Sequence, residues 1–250
     1  MYKRQGLQQV DQQHNLYKEK SETMAQAQNM IVGSAKNIEH WYEQATSFHK
    51  HYGRNFYPLA NQRALEFGRS YGYPDDLALQ VGAGLLAVYS PRLDWRYNLK
   101  YVEEFIENGT VKNSPKVMND KAKLISLCHD PMSILGRTAY KTKSFYSAIH
   151  SPLGKQDVYS LDGIKDGKEL CVIDRHASGV YNGEPLIEAD RKRLSNPKVY
   201  QRISGAYYRT AKKYGINVNE LQSITWYVFR EQYKHFSVSA SRKRARRTKK

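Results

Sequence analysis

The sequence predicts an all-α or nearly all-α protein. Apolar residues return at three- and four-residue steps in one segment after another, the spacing of a single helical face. Asp, Asn, Pro and Gly stand where those segments start and stop. Only one short apolar piece, LCVID at 170–174, reads as a strand or a buried extended segment. About eight helices with one such piece argue for a helical domain.

The elements follow in order. Residues 1–20 are polar and Gln-rich and read as an arm. Over 22–50 a long helix is expected, with Met24, Ala27, Ile31, Ala35, Ile38 and Tyr42 on one face. The stretch HYGRNFYPLANQ is expected to break helix at Gly53 and Pro58. Asn61 then caps a short helix ending near Gly68. YGYPDD is a turn into a helix, with Pro74 suited to a helix start and the two aspartates to its positive end. The run LALQVGAGLLAVYSP is the most apolar in the chain and should be the central buried helix. Gly82 and Gly84 cost it roughly 1 kcal/mol each against alanine, and close approach of a neighbouring backbone is the expected gain.

Asp94 opens a helix through Tyr101, Phe105 and Ile106 that ends at Asn108-Gly109. After a loop at 110–117, KVMNDKAKLISLCHD reads as helix, PMSILGR as a short segment, and TAYKTKSFYSAIH as a helix closed by Ser151-Pro152. Residues 151–170 read as irregular and SGVYNGEP as a loop. A helix is expected over 198–213, with Val199, Ile203, Ala206, Tyr207 and Thr210 aligned. Asn217 and Glu220 have capping-box spacing and open a last helix carrying Leu221, Ile224, Trp226, Val228 and Phe229.

The charge is as informative as the periodicity. The 250 residues carry 40 Lys and Arg against 24 Asp and Glu, a formal net charge of +16. That excess concentrates anionic partners and speeds their association. The last ten residues, SRKRARRTKK, hold seven of the basic groups, and the remainder keeps 33 against 24. The body is therefore basic in its own right. Twenty tyrosines, many beside basic residues as in AYYRTAKKY and REQYKHF, suit stacking and phosphate contacts on nucleic acid, or cap the core with wet hydroxyls. Nucleic acid is the expected partner.

Several classes are disfavoured. Two cysteines, Cys128 and Cys171, build neither a disulfide framework nor a four-thiolate zinc or iron–sulfur site; two reduced, buried thiols are expected. No apolar run is long enough for a membrane span, and the first residues lack the apolar core of a signal peptide. The cytosol or nucleus of a host cell is the expected location. HExxH, GxxxxGK[ST] and GxGxxG motifs are absent. His49 and His51 lack an evident partner, and the Asp75-Asp76 and Asp162/Asp166 pairs are explained by capping and turns. No metal and no cofactor are assigned.

Two polar positions stand out. Asp174, in CVIDRHA, follows a short apolar segment and precedes Arg175 and His176. A carboxylate there can sit at the mouth of a cleft and stabilise a developing cation, or it can simply cap the next segment. Lys141 and Lys143, in GRTAYKTKSFYSAIH, lie about 200° apart on a helix. At most one is expected to point inward beside Phe145 and Ala148, and the other to meet solvent or a phosphate. An inward lysine is a candidate nucleophile, because burial favours the neutral amine.

Taken in order, VGAGLLAVYSPRLDWRYNLKYVEEFIENG, ILGRTAYKTKSFYSAI and CVIDRHA resemble the helix-hairpin-helix DNA glycosylase superfamily, of the endonuclease III and 8-oxoguanine glycosylase type, in a divergent phage-associated branch. The resemblance covers about residues 70–182, and ELQSITWYVFR is similar to the end of that branch. It implies a two-part helical domain that grips the DNA backbone near a Gly-rich hairpin and flips a base into a cleft. The aspartate that assists cleavage of the N-glycosidic bond corresponds to Asp174. The lysine that forms a Schiff base in bifunctional members corresponds to Lys141, four residues before Phe145, with Lys143 as the alternative. The implied DNA contacts are Gly136, Arg137, Lys143, Arg175 and His176, joined by Arg242, Lys243, Arg244, Arg246 and Arg247 of the basic tail.

The chain departs from the pattern at the hairpin, where ILGRTAY keeps only Gly136 of the usual Leu-Pro-Gly-Val-Gly. It also lacks the four-cysteine cluster, and Arg175 replaces a common threonine. The resulting organisation is a polar arm and helix at 1–59, a glycosylase-like domain at 60–237 and a basic tail at 238–250. The expected function is DNA binding, with glycosylase or glycosylase/AP lyase activity. The alternatives are a non-catalytic nucleic-acid binder reusing the fold and a structural viral protein.

Overall fold

The computed structural model describes residues 33–91, 93–152, 171–186 and 193–233. Residues 1–32, residues 153–170 of the stretch read as irregular, and the basic tail lie outside the described residues. Helix accounts for most of what is described, and no strand occurs among the described residues.

Helix α1, Ala35–Glu43, starts at Ser34, whose side chain accepts from the Asn37 N–H. Helix α2, Ser47–Arg69, starts at a reciprocal cap between Thr46 and His49. The expected break at Gly53 and Pro58 does not occur, and the division at residue 59 falls inside α2. Proline within a helix removes one ladder hydrogen bond and costs about 3 kcal/mol. Burial of Tyr57, Ala60, Ala64 and Phe67 on the same helix offsets that cost. Gly53 is where α2 crosses another helix: a methyl group there would lie 2.7 Å from the Ile224 backbone nitrogen. Asn61 caps no helix start. Its amide donates to the Ile149 carbonyl at 2.8 Å.

Helix α3, Asp75–Tyr89, is the central one, with every residue from Val81 to Tyr89 buried. Gly82 faces the Ala64 carbonyl so closely that a Cβ would collide with it, so here glycine does permit backbone contact. Gly84 instead faces the Ile125 and Pro131 side chains.

Helix α4, Trp95–Asn108, is capped by Asp94 and stopped by Gly109 at φ 67°. Helix α5, Lys116–Ser126, is tied to α3 through buried Asn119. That side chain accepts from the Tyr89 hydroxyl at 2.8 Å and from the Val111 N–H at 3.0 Å, and donates to the Val111 carbonyl at 3.1 Å. It is shorter than expected and ends in a turn where Cys128 takes φ 63°. Cys128 is only half-buried, which corrects the expectation of two buried thiols; Cys171 is buried.

The short α6, Pro131–Ile134, and α7, Tyr140–His150, are joined by a turn at Gly136, φ 85°. Residues 171–173 are a buried extended segment. Side chains of one helix bond three of its backbone groups: Ser204 Oγ accepts from the Cys171 N–H at 2.8 Å, and the Tyr200 hydroxyl accepts from the Ile173 N–H at 3.0 Å and donates to the Cys171 carbonyl at 2.9 Å. A buried backbone needs such partners, and hydroxyls replace a neighbouring strand here.

Helix α8, Arg175–Asn182, occupies much of the stretch read as a loop. Burial of Ala177, Val180 and Tyr181 outweighs the weak helix propensity of Ser178 and Gly179. A 3-10 turn at Arg193–Ser195 precedes α9, Pro197–Tyr214, and α10, Val218–Gln232. Helices α2, α4, α5, α6 and α7 pack on α3, while α1, α2, α8 and α9 pack on α10. The long α2 belongs to both groups.

Candidate functional site

The candidate site forms where the ends of α3, α7 and α8 meet the side of α10. Asp174 ends the buried extended segment and caps α8. Its Oδ1 accepts from the His176 and Ala177 backbone N–H groups at 2.9 and 2.8 Å. Its Oδ2 accepts from the Trp226 indole N–H at 3.0 Å. Burial pushes this carboxyl up. The charges of His176 and Lys141, with the hydrogen bonds from Ala177 and Trp226, outweigh burial and hold it below the usual carboxylate range. The carboxylate is therefore kept ionised at a half-buried position.

Lys141 sits in the first turn of α7, on the same face as buried Phe145. Its Nζ lies 3.4 Å from the carbonyl of Ser90, the C-cap of α3. Burial lowers its proton affinity, Asp174 raises it and Arg175 lowers it, leaving the amine below the ordinary lysine value. Lys141 and Asp174 thus interact electrostatically, each acting on the other's proton affinity.

Lys143 was expected to meet solvent or phosphate if Lys141 did not. It is only 7% exposed, which corrects that expectation and leaves neither amine on an open surface. The i and i+2 positions both find cover because α7 is packed against both α2 and α3.

The flanking positions divide. Arg175 is exposed, and its Nε donates to His176 Nε2 at 3.1 Å. His176 lies edge-on to Trp226, ring centroids 5.8 Å apart. Gly136 and exposed Arg137 lie in the turn before α7, and Lys121 Nζ would be 3.6 Å from a Cβ at Gly136. Arg242, Lys243, Arg244, Arg246 and Arg247 lie outside the described residues.

Three partners were not singled out in the sequence. Trp226 appeared only as an apolar position on the last helix, yet its indole supplies the donor to Asp174. An indole N–H that is partly buried needs an acceptor, and that was the one available signal. Arg230 stacks over Trp226 at 4.5 Å and bonds Asp94 Oδ2 at 2.8 Å, joining α10 to the start of α4. Ser90 supplies the carbonyl that Lys141 faces. His49 does have an acidic partner: its Nε2 is 2.8 Å from Glu231 Oε2. Among the described residues no group of three or more His, Cys, Asp or Glu is placed to hold a metal ion, and no helix is long and apolar enough to cross a membrane.

The fold and site define a helical protein with an inward lysine and an ionised, capped carboxylate set against each other. The family model of a family of unknown function, DUF7178, matches residues 19–233, and the chain belongs to that family. No curated protein and no solved structure matches the chain.

Proposed function

We propose that the chain binds DNA and acts as a DNA glycosylase or glycosylase/AP lyase on a base flipped out of the helix. The observation that carries this reading is the convergence of Lys141, its Nζ on the Ser90 carbonyl, and Asp174, at the start of α8, within electrostatic reach of one another in a partly buried site. The helical packing around α3 and α10, the turn at Gly136 and the basic composition support it.

The chemistry follows from the two groups. Lowered proton affinity makes neutral Lys141 accessible, and the neutral amine attacks C1′ of the sugar. The N-glycosidic bond breaks, and the base leaves with the bonding pair and takes up a proton. The new amine at C1′ loses a proton and expels the ring oxygen, which is protonated, giving an iminium. Positive charge builds on the sugar as the base departs, and ionised Asp174 stabilises it. Base flipping exposes the bond to both groups.

A second reading, a nucleic-acid binder without catalysis, is favoured by one observation: three hydrogen bonds to Asp174 are what a structural cap with a side-chain brace requires. Duplexes bearing uracil, 8-oxoguanine, an alkylated base or an abasic site separate the two. Borohydride should trap a covalent adduct with the wild type and with Lys143→Ala, not with Lys141→Ala, and Asp174→Ala should slow its formation. Absence of product and adduct on every substrate removes the catalytic reading. Binding that ignores salt removes the electrostatic one.

A further inference from the structure

Large apolar rings on a solvent-facing helix lose the burial that would stabilise them, so a run of them calls for a partner. Helix α2 carries such a run in its first turns. Phe48 is 59% exposed and Tyr52 47% exposed. They stand four residues apart on one face, with ring centroids 4.3 Å apart. Tyr52 is 6.3 Å from Tyr227 on α10, and Tyr227 is 5.3 Å from Trp226. Trp226 is the residue that holds Asp174. The rings therefore form a series from the candidate site to the start of α2.

Two guanidinium groups flank this series, each paired with a carboxylate. Arg54 is exposed on α2, paired with Glu220 at 2.6 Å, and Arg230 lies over Trp226. His51 is exposed beside Tyr52. The His49–Glu231 contact pins the last turn of α10 to the first turn of α2.

Exposed rings on a strongly basic chain match one ligand chemistry closely. Every nucleobase offers a π-face for stacking whatever its sequence, and the backbone phosphates answer the net charge of +16. We propose that Phe48, Tyr52 and Tyr227 form a stacking platform for unpaired nucleobases, so that the protein engages a single-stranded or locally opened segment next to the nucleotide at Lys141 and Asp174. This rests on the DNA-binding reading above and names the state of the strand it takes.

The test uses the full chain and fluorescence anisotropy. The probes are a labelled mixed-sequence single strand, a strand of equal length whose central units are tetrahydrofuran abasic analogues that cannot form a Schiff base, and a hairpin duplex. The abasic strand keeps the charge and removes the rings. Phe48→Ala/Tyr52→Ala removes the platform at exposed positions, and Phe48→Tyr/Tyr52→Phe retains it. Circular dichroism melting checks that both variants are folded. The wild type should prefer the base-bearing strand over the abasic one by about tenfold or more, as loss of base–aromatic stacking implies. The double-alanine variant should lose that preference with its affinity for the abasic strand unchanged, and the ring-retaining variant should keep it.

Equal wild-type affinity for the two strands, a preference that survives the double-alanine change, or a stronger preference for the hairpin overturns the platform. So does a wild-type dimer, seen by sedimentation, that the double-alanine variant dissolves without altering strand binding, since the rings then face a second copy. No binding to any probe removes the DNA-binding reading as well. A Lys141-dependent adduct without base preference removes the platform alone.

Discussion

The Trp226 indole donates to Asp174 Oδ2 at 3.0 Å, across 52 residues of sequence. One oxygen of the carboxylate is thereby committed to the first turn of α8 and the other to the side of α10. Helix start, carboxylate orientation and helix–helix contact depend on one another at this point.

Trp226→Phe keeps the aromatic packing and removes the donor. A hydrogen bond to a charged group contributes about 2 kcal/mol, and a loss near that size is expected in denaturant titrations at pH 7. Asp174 is held below its unfolded value. Its stabilising contribution is full above about pH 4, the unfolded carboxylate value, and is lost as pH falls through the folded value. The difference between wild type and Trp226→Phe should therefore shrink at low pH. A difference that does not change with pH would refute the assignment.

Asp174→Asn and Asp174→Ala separate capping from charge. Asparagine caps helices about as well as aspartate, whereas alanine costs about 1 kcal/mol. Asp174→Ala should melt lower than Asp174→Asn. Both changes remove the charge that raises the proton affinity of Lys141. Acylation of Lys141, followed by mass spectrometry at pH 8, should be faster in both variants than in the wild type. Unchanged labelling would show that the two groups do not interact.

Lys141 is held below its unfolded value by burial. Between the folded and unfolded values the unfolded chain binds more protons, so stability rises with pH across that window. Lys141→Met should lack this contribution, so the stability of wild type relative to the variant should increase as pH rises towards about 10.4, the unfolded lysine value. Parallel pH profiles for the two proteins would contradict a buried amine.

Gly82→Ala places a methyl group against the Ala64 carbonyl. Overpacking of this kind costs about 1–3 kcal/mol, and a backbone neighbour cannot rotate away, so the upper end is expected. Leu77→Ala, at an exposed position on the same helix, should cost much less. Thermal melts of the two variants decide this, and equal melting temperatures would sink the close-approach argument.

Local signals in the sequence account for a good part of the fold. Asp94, Gly109 and Asn217 mark the helix ends they were read to mark, because a cap acts over two or three residues and its chemistry is visible in that window. The apolar run of α3 is buried for the equally local reason that it has no polar face to expose. By itself the sequence also determined the basic excess and marked Asp174 and Lys141 as candidate site residues.

Tertiary structure alone decided the rest. It carried α2 through Pro58, because burial on α3 and α10 outweighs one missing hydrogen bond. It made a helix of residues 178–182, where intrinsic propensity is poor, by burying Val180 and Tyr181. It covered Lys143 from a second side. Above all, it set Lys141 against Asp174 and gave Asp174 the indole of Trp226. These are interactions between residues far apart in sequence. Their strength depends on desolvation and distance, and neither quantity exists until the helices have packed.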